Sequence, residues 1–167
     1  MRLRKVRDAD AAELLRVVRE SLAHLRPWAS WATDDYDSSS VAGFLTASAD
    51  GWESGTLFNH AIIVDDAIVG MAGADRTGHP DLVEIGYWLH PAHTGRGHAT
   101  AAAAELVEFA FALDGVHRVQ IWHDEANIAS GGVPRRLGFT EIGRRTPPRE
   151  PAFGSRVGVD VVWELAR

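Results

Sequence analysis

The chain has 167 residues, 17 Lys and Arg against 23 Asp and Glu, a formal net charge of -6, and no cysteine. That length suits one domain with one core, and the acidity argues against a nucleic-acid binder working by phosphate neutralisation while mildly favouring cationic partners such as amines. The absence of cysteine excludes disulfides, thiolate metal sites and a cysteine nucleophile.

In chain order, "MRLRKVRDAD" carries charge with no apolar stretch behind it, so a secretion signal is not expected. No apolar run approaches the ~20 residues of a membrane span, and a cytoplasmic protein is expected. "LRKV" alternates as a first strand. Asp8 is expected to cap a helix through "DADAAELLRVVRESLAHL", stopped at Pro27. "DSSSVAGFLTASADGWESG" is a weaker second helix ending near Gly55. "LFNHAIIVDDAIVGMAGADR" reads as two strands joined at Asp65-Asp66. "LVEIGYWLH" follows, a strand with two largely apolar faces and therefore expected to be covered on both.

An alanine-rich helix is expected from about Gly97 to Leu113, stopped by Gly115. "HRVQIWH" is a strand, "NIASGGVPRRLGF" holds a short helix, and "FTEIGRR" and "RVGVDVVWEL" close the chain as strands. No repeat or linker divides it. The expected architecture is one mixed α/β domain over residues 1–167.

The chemistry concentrates at "TGRGHATAAAA", where a glycine turn opens the alanine-rich helix. A helix N-terminus offers unpaired N–H groups and the positive end of the dipole, which suits phosphate. Gly95 and Gly97 let the backbone approach a ligand, and the amides of Arg96, Gly97, His98, Ala99 and Thr100 are candidates to meet a pyrophosphate. The triphosphate loop G-x-x-x-x-G-K-[ST] is absent, and Thr100 occupies the third glycine position of a dinucleotide turn.

The combination resembles the GNAT superfamily of N-acetyltransferases. "TGRGHA" is similar to its coenzyme loop Q/R-x-x-G-x-G/A, with Thr94 in place of Gln or Arg. "EIGYWLHP" resembles its fourth strand, "NIASGGVPRRLGF" its N-x-x-S and L-G-F signature, and "HLRPWASWA" a tryptophan segment of the Rim-type ribosomal-protein branch. The resemblance implies a sheet of about seven strands with flanking helices, splayed between the fourth and fifth strands to admit the pantetheine arm beside Trp88 and Leu89. It implies acetyl-CoA as co-substrate, no metal, and direct transfer to a primary amine. The acceptor is a protein or peptide N-terminus, or a polyamine, aminoglycoside or amino acid. A non-catalytic acyl-CoA sensor is the alternative from another class. A monomer or homodimer is expected, without nucleic acid or membrane.

Glu84, in an otherwise apolar strand, is the candidate base, since burial raises a carboxyl's proton affinity; pairing with a nearby arginine is the plainer explanation. Ser130 either caps its helix or, as the resemblance implies, meets the leaving thiolate. Asn127 is expected on the pantetheine amides or the loop backbone. Many members of that superfamily use a tyrosine in this region, but the two tyrosines here, Tyr36 and Tyr87, are not expected to lie there. Tyr87, Trp28, Trp31 and His123, with Trp52, are candidates for the acceptor pocket. His123 with Asp124 is a reserve base or relay. Arg96, Arg135 and Arg136 are candidates for the coenzyme phosphates. His90, His93 and His98 have loose metal-like spacing but lack a carboxylate partner.

Overall fold

The computed structural model describes residues 1–167. The strands are β1 (Arg2–Lys5), β2 (Leu57–Val64), β3 (Ala67–Arg76), β4 (Leu82–Leu89), β5 (Arg118–Asp124), β6 (Thr140–Arg145) and β7 (Asp160–Ala166). The helices are α1 (Ala11–Leu25), α2 (Ser38–Ser54), α3 (His98–Ala112) and α4 (Ile128–Arg136). One seven-stranded sheet has the order β1-β2-β3-β4-β5-β7-β6. Every neighbouring pair is antiparallel except β4 and β5.

Local chemistry explains most boundaries. Asp65 and Asp66 take φ of 48° and 62°, the left-handed pair a tight primed hairpin requires. Asp37 caps α2 by accepting from the amides of Ser39 and Ser40, and Gly55 ends the helix at φ 71°. At α1 the expected cap moves. Asp8–Asp10 form a 3-10 turn, and Asp10 rather than Asp8 is the working acid. Its carboxylate accepts two bonds from Arg4 at 2.9 Å and one from the Arg7 amide at 3.0 Å. A buried carboxylate needs that compensation, and exposed Asp8 does not.

The sheet separates two layers. Ala102, Ala103, Leu106 and Ala110 of α3 press on Val83, Ile85, Val119 and Ile121, all fully or nearly fully buried. The small side chains explain how closely the helix lies. On the other face, Leu14 and Val17 of α1 and Val41 and Leu45 of α2 cover Ala61, Ile63, Ile68 and Met71. β4 departs from the expected double cover. Val83, Ile85 and Leu89 pack on the α3 side, whereas Glu84, Gly86 and Trp88 line a cavity.

Candidate active site

β4 and β5 share three rungs, Leu82 with Arg118 through Glu84 with Gln120, and then diverge. Beyond the fork their facing peptide groups have no partner strand, which suits an extended ligand carrying amides. A cavity of about 1690 Å3 runs through the gap. It reaches from the turn before α3, past β4 and α4, to the α1–α2 connection and the β6–β7 loop. Trp88, Leu89, Gly95, Gly97, His98, Ala99, Thr100, Asn127, Ser130, Trp28, Trp31, Tyr87, His123 and Glu84 all line it.

At the coenzyme-loop end, Gly95 and Gly97 adopt φ of 71° and 80°. A Cβ built on either would meet nothing within 4 Å. The amides of residues 95 to 100 donate to no backbone carbonyl; the first bonded one is Ala101, to Gly97. Open space plus a run of free donors at a helix start fits a pyrophosphate. Arg136 reaches in from α4, its Nε donating to Thr100 Oγ1 at 3.0 Å. Arg135 turns away over the Trp163 ring, 5.3 Å from its centroid, and Arg96 lies outside the cavity lining. Of the three arginines, Arg136 is the one that lines the cavity. His90 and His93 meet in a T-shape and His93 and His98 lie tilted to each other along this loop, and no group of three His, Asp or Glu is arranged around a metal position.

Asn127, not Ser130, caps α4: its Oδ1 accepts from the Ser130 amide at 3.2 Å. Ser130 stands in the first turn despite Pro134, with its side chain outside the cap. Tyr87 crosses the fork from β4, and its hydroxyl donates to the Ser130 carbonyl at 3.2 Å. Burial pushes the Tyr87 phenol up to about 12, so it stays a donor. A tyrosine does stand beside Ser130, which their separation of 43 residues hides in the sequence.

The reserve relay is absent. The donor-only Trp163 indole gives its N–H to His123 Nε2 at 3.0 Å, which leaves the proton on Nδ1, bonded to the Asp124 carbonyl at 2.7 Å. Both ring nitrogens are used, and burial lowers the proton affinity of His123. The Asp124 carboxylate instead accepts from the amides of Ala126, Val157 and Gly158, each at 3.0 Å, and so ties down the β6–β7 loop.

Glu84 sits on the last shared rung, its side chain 23% exposed. Arg149 Nη1 of the β6–β7 loop donates to its Oε2 at 2.6 Å. Burial raises the Glu84 proton affinity and outweighs Arg149, which lowers it. Gly86, next on that face, leaves the cavity floor open, since a Cβ there would meet nothing within 4 Å. A glycine inside a strand pattern is the sequence signal that marks it. Trp31 packs between Tyr36 and Trp88, with centroids at 5.8 and 5.9 Å, and lines the cavity with Trp28 where it reaches the α1–α2 connection. Trp52 is elsewhere, packed on Phe58, His60 and Phe109, its indole donating to the Asn59 carbonyl.

The fold that carries the forked strand pair, the helix start and the cleft is shared with known proteins. Residues 1–140 match the acetyltransferase (GNAT) domain. The chain belongs to the GNAT acetyltransferase family. Its curated relatives include the Bacillus subtilis (strain 168) protein named "Putative ribosomal N-acetyltransferase YdaF", 28% identical over 149 residues, spanning 85% of this chain and 79% of that one. Among solved structures, Mycobacterium smegmatis RimJ in complex with a CoA-disulfide superposes with a TM-score of 0.83 at 25% identity, covering 98% of this chain and 80% of that one. RimL, a ribosomal L7/L12 α-N-protein acetyltransferase in complex with coenzyme A, shares the fold at a TM-score of 0.89 and 18% identity, covering 98% and 92%. This GNAT protein is an acetyl-CoA-dependent N-acetyltransferase, and its seven-stranded sheet parts between the fourth and fifth strands as the resemblance implied.

Proposed function

We propose that this enzyme acetylates the α-amine of a peptide or protein N-terminus, with Glu84 as general base and the Ser130 hydroxyl as donor to the departing sulfur. Acetyl-CoA supplies the activated acyl group. The free amides of residues 95 to 100 and Arg136 hold its pyrophosphate, and the fork between β4 and β5 takes its extended arm. At the fork the acceptor nitrogen forms a bond to the thioester carbonyl carbon and the carbon–sulfur bond breaks. Glu84 receives the amine proton, directly or through one water, and Ser130 gives a hydrogen bond to the sulfur. No enzyme nucleophile takes part.

The observation that carries the reading is a partly buried carboxylate on the last rung of the fork, beside an acceptor cavity walled by tryptophans. Asp75 lines the same cavity and pairs with Glu84 across β3 and β4, which favours entry of the amine as its ammonium. Deprotonation at pH 7 then costs about 1.4 kcal/mol for an α-amine and about 4.6 kcal/mol for a lysine. A carboxylate shared with an arginine meets the smaller demand. The similarity to a relative named as a putative ribosomal N-acetyltransferase supports the same acceptor class.

Acetyl-CoA turnover against N-terminal peptides, a lysine side-chain analogue and a polyamine tests the proposal. The expected result is the highest kcat/KM with a peptide α-amine. A polyamine as the best substrate replaces it with a small-molecule acceptor. Tight coenzyme binding without turnover on any amine makes the protein a sensor.

A further inference from the structure

The β6–β7 loop carries an arginine that the transfer reaction has not yet used. Arg149 makes three separate contacts. Its Nη1 donates to Glu84 Oε2 at 2.6 Å, its guanidinium carbon lies 3.2 Å from the Trp122 ring centroid, and its backbone amide donates to Asp160 Oδ2 at 2.8 Å. The platform under it is also held. The Trp122 indole donates to Gln120 Oε1 at 2.9 Å, and the Gln120 amide donates to Glu164 Oε2 at 2.7 Å. Gln120 is the residue paired with Glu84 on the last rung of the fork. Arginine suits this position because a planar guanidinium can stack on an indole and hydrogen-bond a carboxylate at once.

We propose that Arg149 is the positioning residue for Glu84: carried on Trp122, it holds the carboxylate in one orientation and keeps it ionised between acetyl transfers. The proposal rests on the reading of Glu84 as the base. The charged groups facing Glu84 are Asp75 from β3, Asp160 from β7 and Arg149 from the loop. Burial comes first in raising its proton affinity, and the two aspartates push the same way. Arg149 is the opposing group, through its hydrogen bond and its charge. Without it, a buried carboxyl beside two other carboxylates would hold its proton at higher pH and be lost as an acceptor for the amine's.

The neighbouring Arg156 does not share the task. It is spent on Asp160 at 3.1 Å and Glu150 at 3.1 Å, which brace the same loop. Loss of Arg149 therefore leaves the loop anchored through Arg156 and Asp124. Its effect on Glu84 can be separated from collapse of the cavity wall.

The test compares wild type, Arg149→Met and Arg149→Lys. Methionine keeps an apolar stem on Trp122, and lysine restores the charge. The Glu84 carboxyl is titrated by carbon NMR on glutamate-labelled protein, with Glu84→Gln identifying the signal. This reading needs neither coenzyme nor acceptor. In parallel, kcat/KM is followed against pH with acetyl-CoA and the peptide acceptor.

The expected result is a higher titration midpoint in Arg149→Met, a matching move of the acidic limb of kcat/KM to higher pH, and unchanged coenzyme affinity. Arg149→Lys should recover most of both shifts. An unmoved midpoint in Arg149→Met overturns the proposal, whatever the loss of activity. A midpoint that moves while the kinetic limb stays put upholds Arg149 as the residue controlling Glu84. That outcome removes Glu84 as the base.

Discussion

At Gly97 the backbone holds φ at 80°, and a Cβ would enter open space beside the free amides of the turn. Gly97→Val therefore adds both left-handed strain and bulk where a pyrophosphate must approach. Acetyl-CoA affinity should fall tenfold or more, about 1.4 kcal/mol by calorimetry, in a protein that still folds. At Glu84 the side chain and its partner define a second measurement. Glu84→Gln keeps the size but not the proton acceptor, so kcat/KM should drop by roughly 10²-fold near neutral pH. The loss should shrink as pH rises and the amine deprotonates unaided. A ratio to wild type that stays constant across pH would leave Glu84 only a positioning role. Ser130→Ala should lower kcat with little change in coenzyme affinity, because Asn127 rather than Ser130 caps α4. A change in thermal stability alone would assign Ser130 to the helix.

Among the elements, α4 packs closely on β5. Its Gly131 faces the half-buried His123 ring, and a Cβ there would lie 2.7 Å from Nε2, the atom that accepts from Trp163. Gly131→Ala should cost about 1–3 kcal/mol by overpacking, read as a lower Tm. Gly43 supplies the contrast. It lies inside α2 with nothing within 4 Å of a built Cβ, and its position is exposed. Gly43→Ala should stabilise by about 0.5–1 kcal/mol, because alanine loses less backbone freedom in a helix. Differential scanning calorimetry on the pair checks both signs; a stabilised Gly131→Ala would mean that α4 yields at no cost.

For the whole molecule, acid sensitivity should come in two stages. Burial lowers the proton affinity of His60 and His123 from the ordinary value of 6.5. The unfolded chain then binds protons that the fold does not, so stability is full above 6.5 and declines as pH falls below it. Asp10 and Asp124 are held below their ordinary 3.8, by Arg4 and the Arg7 amide in one case and by three backbone amides and Arg156 in the other. Their contribution is present above 3.8 and is lost as pH drops through the lower folded values. Tm measured from pH 8 to 3 should show the histidine decline first. His60→Phe, which keeps a ring among Trp52 and Phe109, should flatten that upper segment. An unchanged slope in the variant would assign the decline elsewhere.

Several features were legible from residues alone because they depend on neighbours in the chain. The Asp65-Asp66 hairpin, the Asp37 and Gly55 helix ends and the glycine turn before α3 follow from local backbone preferences. The alanine run predicts close packing without naming what it packs on, and the family motifs together identify the fold. The contacts that complete the site were not legible. Arg149 reaches Glu84 across 65 residues, and Tyr87 reaches Ser130 across 43. His123 is silenced by Trp163, and Trp52 is drawn to the far side of the sheet by Phe58 and Phe109. Those partners are chosen by strand order, register and the path of the β6–β7 loop. Strand order, register and loop path are set by how the two faces of the sheet are covered as a whole, which no short stretch of sequence specifies.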